Sequence, residues 1–514
     1  MRTRSNDMPN GIAAAASSQP DVIVIGGGGS GLAAAIEAAA VGRRVLLLEK
    51  APRLGGTTAW SVGSISATLS PQQIARGIKD TPHDHFEDMQ KFAVHLKGTD
   101  NDDLRRILTS EVPATLRWLM GFGVEFYGPM PEPPHRRPRM HNVVPNSRAY
   151  IAVCARQARR LGVDIRVDVR ATGFIVEGGR VRGVRATLKS GEAVEYRASG
   201  AVVLASGDYS ASPELKREFI SPTAATIEPV NVYSTGDGHR MAADLGATVI
   251  NRHLAHIGVR FVPPPRSSIA ESLPAFRPLA RLIRMAMQRL PMALLRPFLM
   301  KFLVTVLEPA PNLFAAGAIL IGSNGELVAD WNDDRMAGLS AVDDHCGYIL
   351  FDGAIADAFE SWPNYISTAP GIAYAYVSDY RRNRADLFHS APTLEAGAAQ
   401  LGISGKAIRA TVDAVNAKRD RAGERTPRPL SNGPYYLLGP AKLLITFTDG
   451  GLAVDTSHRV LDAGGAPIPG LYAAGSAGQG GLLLEGHGHH LGWAFTSGRL
   501  AGRNAALESV SPPR

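Results

Sequence analysis

The sequence contains few cysteines. Only two occur in 514 residues, Cys154 and Cys346, far apart and in no C-x-x-C pair. This count excludes a disulfide framework, a zinc site built from cysteines and a dithiol redox relay. A reducing compartment fits this usage, and we predict a cytoplasmic protein.

Long apolar runs and basic tracts are also absent. No apolar run approaches the ~20 residues that a membrane-spanning helix requires. The formal net charge is +8, but no Lys/Arg tract or nucleic-acid motif accompanies it, so we expect no nucleic-acid partner. Residues 1–19 begin with arginines, yet their apolar stretch is too short for a signal peptide, and we interpret them as a disordered leader.

A β-α-β pattern follows the leader. Asp21–Ile25 is a short β-branched apolar run, typical of a buried parallel strand. Residues 26–31 read GGGGSG and lead into an alanine-rich helical segment. Arg43–Lys50 is a second apolar run that closes with an acid. This order of strand, glycine loop, helix and strand is typical of dinucleotide-binding units.

The glycine spacing is specific within this unit. Gly26, Gly28 and Gly31 form G-x-G-x-x-G, and Glu49 follows about 20 residues on. Gly26 permits the tight turn, Gly28 allows the backbone to approach a pyrophosphate, and Gly31 lets the helix pack on the strand. The helix N-terminus then faces the phosphates, and Glu49 accepts a hydrogen bond from a ribose hydroxyl.

Further segments extend along the chain in a fixed order. They are GGTTAW at 55–60, VVLASGDYS at 202–210, STGDGHRMAADLGA at 234–247, TDGGLAVDTSHRVL at 448–461 and IPGLYAAGSAG at 468–478, followed by LGWAFTSGRLAG. With the β-α-β unit, these segments resemble the fumarate reductase/succinate dehydrogenase flavoprotein-like family, in its 3-ketosteroid dehydrogenase-like branch. The resemblance covers nearly the whole chain from residue 21 onward.

The resemblance implies an α/β fold with two domains. A Rossmann-like FAD-binding domain of the two-dinucleotide-fold type is expected at 20–248 plus 431–510, and an inserted α+β capping domain, which holds the substrate, at 249–430. FAD is expected to be non-covalent, because GGTTAWSVG lacks the histidine that tethers FAD in quinol-linked members. Ser476 stands where the family commonly has a glutamate or an asparagine.

The resemblance also carries FAD-binding positions onto this chain. The residues expected to bind FAD are Gly26, Gly28, Gly29, Ser30, Gly31, Glu49, Lys50, Gly56, Thr57, Thr58, Gly63, Ala171, Ser206, Gly207, Asp237, Gly475, Ser476, Gly492, Trp493, Ala494 and Phe495.

One arginine of the capping domain is a catalytic candidate. Counted without gaps from Ala318, Arg335 falls where soluble fumarate reductases place their proton-donating arginine. A guanidinium can donate a proton only in a closed, desolvated site with a carboxylate behind it, for which Asp330, Asp333 and Asp334 are candidates. The competing interpretation is a solvated, salt-bridged loop.

The expected substrate clamps are replaced. Phe447 and His490 stand where the resemblance implies a fumarate-binding histidine and arginine, so a dicarboxylate substrate is not expected. The ketosteroid motif that holds the 3-keto oxygen is retained only at Gly488. We expect the backbone of Gly488 to donate a hydrogen bond to a substrate carbonyl. We predict Arg335, His490, Gly488 and His487 as catalytic residues, with a histidine polarising a substrate carbonyl.

We predict no metal site. The sequence GHGHH at 486–490 is histidine-rich, but its H-x-H-H spacing lacks the i, i+4 separation that places two ligands on one helix face.

The segment 276–307 has unusual composition. It is rich in Leu, Met, Arg and Lys, contains no acid before residue 308, and is interrupted by Pro291 and Pro297. One interpretation is an interfacial element that contacts a membrane peripherally or walls an apolar substrate path. The other is a pair of short core helices whose arginines reach the surface.

These inferences combine into a functional prediction. We expect an FAD-dependent oxidoreductase that transfers a hydride between flavin N5 and a carbon–carbon bond next to a carbonyl in an apolar, steroid-like or polycyclic enone substrate, with an external electron donor or acceptor. Ketosteroid dehydrogenation with an external acceptor is the alternative direction. A catalytically degenerate flavin-binding electron carrier or scaffold is the alternative class.

Overall fold

The structure is a computed structural model. It describes residues 19–262, 273, 276–291, 294–296, 300, 304, 307–369, 373–422, 427–431 and 433–508. Nearly all of the predicted leader therefore lies outside the described residues.

A six-stranded sheet forms the centre of the first domain. Its strand order is Arg459–Leu461, Pro467–Ala473, Ala201–Leu204, Val22–Ile25, Val45–Leu48 and Asp164–Arg166. The strand Val22–Ile25 pairs in parallel with a strand on each side, and all four of its residues are buried. Because both faces of a parallel sheet are covered by other elements, its strands consist of continuous apolar runs. The predicted Rossmann-like domain is confirmed.

Two helices pack tightly on this sheet. The helix Gly29–Ala40 lies against the last helix, His489–Glu508, and glycines allow the contact. A Cβ atom on Gly31 would lie 1.8 Å from the carbonyl oxygen of Gly26, and one on Gly502 would lie 2.2 Å from that of Ala34. The packing role predicted for Gly31 therefore agrees with the structure.

Smaller elements complete this domain. Its other helices are Thr57–Trp60 and Gly475–Gly478, which are of the 3-10 type, and Pro71–Ala75, Pro82–Phe92, Asp102–Phe122, Arg148–Arg160, Pro213–Phe219, Pro222–Thr226 and Asp237–Ala243. Its other strands are Ser64–Ser66, Glu125–Met130, Met140–Val144, Val169–Glu177, Arg180–Leu188, Ala193–Arg197, Val249–Ile250 and Gly451–Leu452.

A second sheet with its own hydrophobic core forms the capping domain. Its order is Glu228–Pro229, Tyr435–Thr448, Cys346–Asp352, Ile319–Ile321 and Leu327–Ala329, and Ala255–Phe261 and Phe388–Ala391 also pair with the long strand Tyr435–Thr448. The helices here are Pro311–Ala315, Arg335–Ser340, Gly353–Ala358, Val377–Asn383, Leu394–Leu401 and Gly405–Ala422, and the inserted helix Arg277–Arg289 contacts the first domain instead. The strands Glu308–Pro309, Ser367–Ala369 and Ala373–Ala375 form a small sheet beside it.

The predicted second boundary, at residue 431, is placed too early. The strand Tyr435–Thr448 pairs with capping-domain strands along its length, and its buried residues belong to the second core. The chain rejoins the first core at Leu452. A strand buried between neighbours reads as an apolar run in either domain, so its composition did not reveal the sheet to which it belongs.

The unusual segment after residue 276 contains a surface helix. Arg277–Arg289 buries only Ala280, and Leu282 is 62% exposed, so the core-helix interpretation is wrong for this part. Its Arg277, Arg281 and Arg284 side chains pair with Glu125 of the first domain. Among the described residues, no helix is long and apolar enough to cross a membrane. Much of 292–306 lies outside the described residues.

Candidate active site

The glycine loop ends at a helix N-terminus with an anion-binding character. The strand Val22–Ile25 leads through the loop into the helix Gly29–Ala40, whose first turn carries no acidic side chain. The amide of Gly29 donates to the Thr58 hydroxyl at 3.1 Å, which joins the loop to the 3-10 helix Thr57–Trp60. The partial positive charge of a helix N-terminus favours a phosphate here.

Glu49 lies beside this loop. Its buried carboxylate accepts hydrogen bonds from the amides of Gly27 and Ala51, both at 2.7 Å. Burial raises the pKa of Glu49, and these amide bonds oppose the shift. Two amide bonds leave further lone pairs for a ribose hydroxyl, the role predicted for this residue.

An ionic cluster forms the opposite wall. Asp237 accepts from Lys50 and from Arg170, both at 2.7 Å, and Lys50 also donates to Thr235. Burial alone would raise the pKa of Asp237, but these two cations lower it below its usual value. Asp237 is therefore ionised and fixed in place at neutral pH.

These walls enclose one cavity. The predicted cofactor residues that line it are Gly26, Gly28, Gly29, Ser30, Glu49, Lys50, Gly56, Thr57, Thr58, Ala171, Ser206, Gly207, Asp237, Ser476 and Ala494. Asn231, Tyr233 and Ser234 also line it and were missed. Asn231 donates to the Thr57 hydroxyl at 3.0 Å, a contact across 174 residues that no local motif announces.

The cavity contains unsatisfied polar capacity. The Ser206 hydroxyl is buried and has no hydrogen-bond partner among the described residues. Gly238 packs closely against this hydroxyl, since a Cβ atom on Gly238 would lie 2.1 Å from it. A hydroxyl left without a partner in the interior is costly, so a polar ligand that bonds it is expected. The lining thus fits a dinucleotide with ribose and phosphate groups.

Residues 485–490 lead into the last helix, which begins at His489, and hydrogen bonds hold them in place. Glu132 accepts from the His487 amide at 2.9 Å and from His487 Nδ1 at 2.6 Å, and Ser66 donates to the His487 carbonyl at 2.7 Å. Gly488 has a φ of +91°, which favours glycine. Ser66 also donates from its amide to the Gly488 carbonyl at 3.4 Å.

His490 is located where the two domains meet. Its ring lies 4.0 Å from the ring of Phe447, and His256 of the capping domain stacks on Phe447 at 5.1 Å. Burial lowers the pKa of His490 to about 3, with smaller contributions from His256 and His489. The imidazole is therefore neutral at pH 7. His256 was not predicted, because no motif marks it.

Asp449 is the acid of this junction. Its buried carboxylate accepts from Gln479 at 2.9 Å and lies 4.0 Å from His490 Nε2. Burial raises the pKa of Asp449 to about 7, and the negative charges of Glu485 and Asp208 raise it further, against the hydrogen bond from Gln479. Near neutral pH a large fraction of this carboxyl retains its proton. The turn TDGG was noted in the sequence, but nothing local indicated that its acid is buried.

The sequence matches one family model over most of its length. The model, described as an FAD binding domain, matches residues 21–281 and 327–483. The chain belongs to this FAD-binding family. The predicted cofactor, FAD, and the predicted class, an FAD-dependent oxidoreductase, are confirmed.

Named relatives and a solved structure agree with the family. The chain is 25% identical over 482 residues to an NADH:fumarate oxidoreductase of Klebsiella pneumoniae (strain 342), covering 90% of this chain and 45% of that protein. It is 28% identical to a vinyl phenol reductase of Lactiplantibacillus plantarum (strain ATCC BAA-793 / NCIMB 8826 / WCFS1), covering 90% and 92%. The open conformation of a flavocytochrome c3 fumarate reductase has a TM-score of 0.73 at 23% identity, covering 97% and 80%. The chain thus spans less than half of the first of these relatives.

Six predicted FAD residues do not line the cavity: Gly31, Gly63, Gly475, Gly492, Trp493 and Phe495. Trp493 is fully buried, and its indole donates to the Gly475 carbonyl at 3.2 Å. Phe495 is equally buried, and its ring lies against the backbone of Gly29. These side chains pack the last helix onto the first, and their direct contact with FAD stays a prediction.

Arg335 begins the short helix Arg335–Ser340 of the capping domain. Its half-buried guanidinium lies 4.5 Å from the centroid of the Phe314 ring, another capping-domain side chain. Burial lowers its pKa, and Asp334 opposes that shift. The neighbouring Asp334 and Met336 are exposed, so both the catalytic and the solvated-loop interpretations of Arg335 stay predictions.

The carboxylates proposed behind Arg335 have other partners. Asp330 is buried and forms an ion pair with buried Arg419, so it is wrong as a relay to Arg335. Asp334 caps the helix by accepting from the amides of Met336 and Ala337. A carboxylate that neutralises a buried guanidinium is not free to relay protons.

Proposed function

We propose that this protein transfers a hydride between FAD and a carbon–carbon double bond that is conjugated to a carbonyl in a hydrophobic substrate. One observation carries the proposal. His490 and Ala494 are four residues apart on the last helix and therefore lie on one face, and Ala494 lines the FAD cavity while His490 meets the capping domain. The cofactor cavity and the interdomain junction are thus adjoining parts of one site.

The residues at this junction have separable roles. Bound FAD supplies a hydride donor or acceptor at flavin N5. Neutral His490 orients the substrate carbonyl by donating a hydrogen bond from a ring N–H. The backbone of Gly488 is a second hydrogen-bond donor to that carbonyl. A large fraction of Asp449 is protonated at pH 7, and this carboxyl, 4.0 Å from His490 Nε2, supplies the proton for the α-carbon.

Arg335 is the second proton-donor candidate. Its lowered pKa is the direction that a guanidinium acid requires, because burial disfavours the charged form. Its described partners belong to the capping domain, so its participation requires that the capping domain carry it to the substrate. Asp449 already lies at the junction.

The junction favours an apolar substrate. Phe447 and the stacked His256 present ring faces, and the negative charges of Glu485 and Glu308 act on His256, opposed by the cation Arg260. A dicarboxylate needs cations in hydrogen-bond reach, so these acids disfavour it. The relatives named above act on fumarate and on vinyl phenol, which share a carbon–carbon double bond and differ in charge. The junction of this chain therefore suits an uncharged substrate, such as vinyl phenol, better than fumarate.

The direction of transfer defines two versions of the proposal. Reduction of the double bond uses an external electron donor, and a proton from Asp449 or Arg335. Dehydrogenation of a ketosteroid-like ketone uses an external acceptor and the same groups as bases. A raised Asp449 pKa favours the reductive direction at neutral pH, because the proton is in place before the hydride moves.

The test is anaerobic reoxidation of the reduced holoprotein. The flavin is reduced by a dye, mixed with polycyclic enones, a vinyl phenol or fumarate, and followed by the return of flavin absorbance. We expect an enone to reoxidise the flavin at least about tenfold faster than fumarate. Reoxidation by fumarate alone would contradict the substrate proposal.

An electron carrier or scaffold is the second candidate. Its support is that Leu327–Ala329 forms a strand and the following Asp330 forms an ion pair with Arg419, so this segment has a structural role. A reduced flavin that exchanges electrons with one-electron dyes but with none of these alkenes, in either direction, would support it.

A further inference from the structure

Three buried histidines from distant segments meet in the first domain. His85 comes from the helix Pro82–Phe92, His135 from the loop that follows Glu132, and His489 from the start of the last helix. Each is less than a tenth exposed, and one ligand nitrogen from each lies within 4.8 Å of the others. His85 and His489 are 404 residues apart, so the fold alone brings them together.

The triangle has the dimensions of a tetrahedral metal centre. The ring centroids are 5.3, 5.3 and 5.2 Å apart, and the Nε2 atoms of His85 and His489 are separated by 3.2 Å. Nitrogens bound tetrahedrally at 2.0–2.1 Å from zinc lie about 3.3 Å from one another, with ring centroids about 5 Å apart. The His85–His489 nitrogen distance thus already matches a metal site, and a ligand nitrogen of His135 lies within 4.8 Å of both.

Hydrogen bonds orient the ligand nitrogen of His489. Its Nδ1 lies 2.5 Å from the Glu485 carbonyl, which can only accept, so Nδ1 carries the proton and Nε2 presents a lone pair toward His85. A ring N–H donated to a backbone carbonyl is the usual support of a metal-binding histidine.

The cluster is incompletely satisfied by the protein itself. Within the described part of the chain, His85 Nδ1 and His135 Nε2 are buried without partners. Burial lowers the pKa of His85, His135 and His489, so all three are neutral imidazoles at pH 7. Neutral imidazole is the form that binds metal ions.

The charged groups beside the cluster are one cation and its carboxylate partners. Arg139 donates to His135 Nδ1 at 2.9 Å, and this cation is neutralised by two buried carboxylates, Asp80 and Asp88, each at 2.6 Å. Nδ1 of His135 accepts this bond, so Nε2 carries the proton of the neutral ring, and metal binding through either nitrogen breaks the hydrogen bond from Arg139. Glu132 acts electrostatically on His489, and its Oε2 is buried without a partner among the described residues.

We propose that His85, His135 and His489 bind a divalent transition-metal ion of the zinc type, with water completing the coordination. Such an ion ties the helix Pro82–Phe92 and the loop before Arg139 to the start of the last helix. It positions His487 and His490, which flank His489, without contacting substrate. The spacing within residues 487–490 alone predicted no metal, and this cluster revises that prediction.

The test begins with the wild-type holoprotein. After dialysis, elemental analysis should find one zinc per chain, and removal by a chelator should lower Tm while FAD stays bound. The chelated protein should then bind one equivalent of Co²⁺ and develop the visible absorption of a tetrahedral site. A wild-type protein that neither retains zinc nor takes up Co²⁺ would overturn the proposal.

Variants assign the site. His135→Asn and His85→Asn should each weaken Zn²⁺ affinity more than about 100-fold, and FAD absorbance reports that the chain is folded. His141→Gln is the matched control, because His141 is equally buried nearby but pairs with the Ser70 hydroxyl at 2.8 Å. Equal loss of metal in the control, or undiminished Co²⁺ binding by both cluster variants, would contradict the assignment.

Discussion

The two halves of the proposed active site are built differently. The FAD cavity is formed largely from backbone, with a glycine loop, a helix N-terminus and the Glu49 carboxylate on the loop amides. The junction is formed from side chains of two domains, His256, Phe447 and His490. A backbone cradle tolerates little variation, whereas a side-chain junction can change its substrate by substitution at single positions. The comparison predicts that perturbing the first half removes the cofactor and perturbing the second removes only the reaction.

The largest effect is expected in the cradle. Gly31→Ala places a Cβ atom 1.8 Å from the Gly26 carbonyl oxygen, so helix and loop must separate and FAD binding should be lost. The ratio of flavin to protein absorbance after purification measures this. Gly121→Ala is the control, because it is an exposed helical position with nothing within 4 Å, and it should keep FAD and gain up to about 1 kcal/mol. A Gly31→Ala protein that binds FAD as fully as the wild type would contradict this prediction.

The next effect is expected at the junction. His490→Ala should leave FAD loading unchanged and slow alkene-dependent flavin reoxidation by about 10²–10⁴-fold, because the carbonyl loses its polarising donor. Stopped-flow absorbance under anaerobic conditions measures the rate. His239→Gln is the control, a buried histidine that bonds the Gly450 carbonyl and whose ring contact is with Tyr209. An unchanged rate in His490→Ala would remove this residue from the mechanism.

A smaller effect concerns pH. The raised pKa of Asp449, about 7, means that its proton is present below pH 7 and lost above it. The rate of double-bond reduction should therefore fall about tenfold for each pH unit above 7. Asp449→Asn should be slow and lack this dependence. A wild-type rate that does not change between about pH 6 and about pH 9 would instead favour Arg335 as the proton donor.

The smallest effect concerns the surface helix Arg277–Arg289. Its exposed Leu282 and Met285 beside arginines predict weak, salt-sensitive binding to anionic vesicles. Leu282→Glu should abolish co-sedimentation with vesicles and leave FAD loading intact. Val94→Glu, at another exposed apolar residue, is the control. Equal sedimentation of all three proteins would exclude this helix as a contact.

Sequence reasoning succeeded where interacting residues are close along the chain. Gly26, Gly28 and Glu49 fall within one β-α-β unit, so their spacing implied their geometry. It failed for Tyr435–Thr448, whose alternation of buried and partly buried residues does not reveal its partner strands. It also failed for Asp330, since Arg419, its buried partner, is 89 residues away.

By itself, the sequence determined the FAD-binding unit and the FAD-binding class of the protein, because the fingerprint is a local code in which glycines, helix start and acid lie within one supersecondary unit. Only the tertiary structure decided the chemistry of the junction and the histidine triangle. His256 faces Phe447, Asp449 is buried beside His490, and His85 meets His489 because two cores fold around them. Burial and long-range proximity set the pKa values of these groups, and neither is encoded by neighbours in the chain.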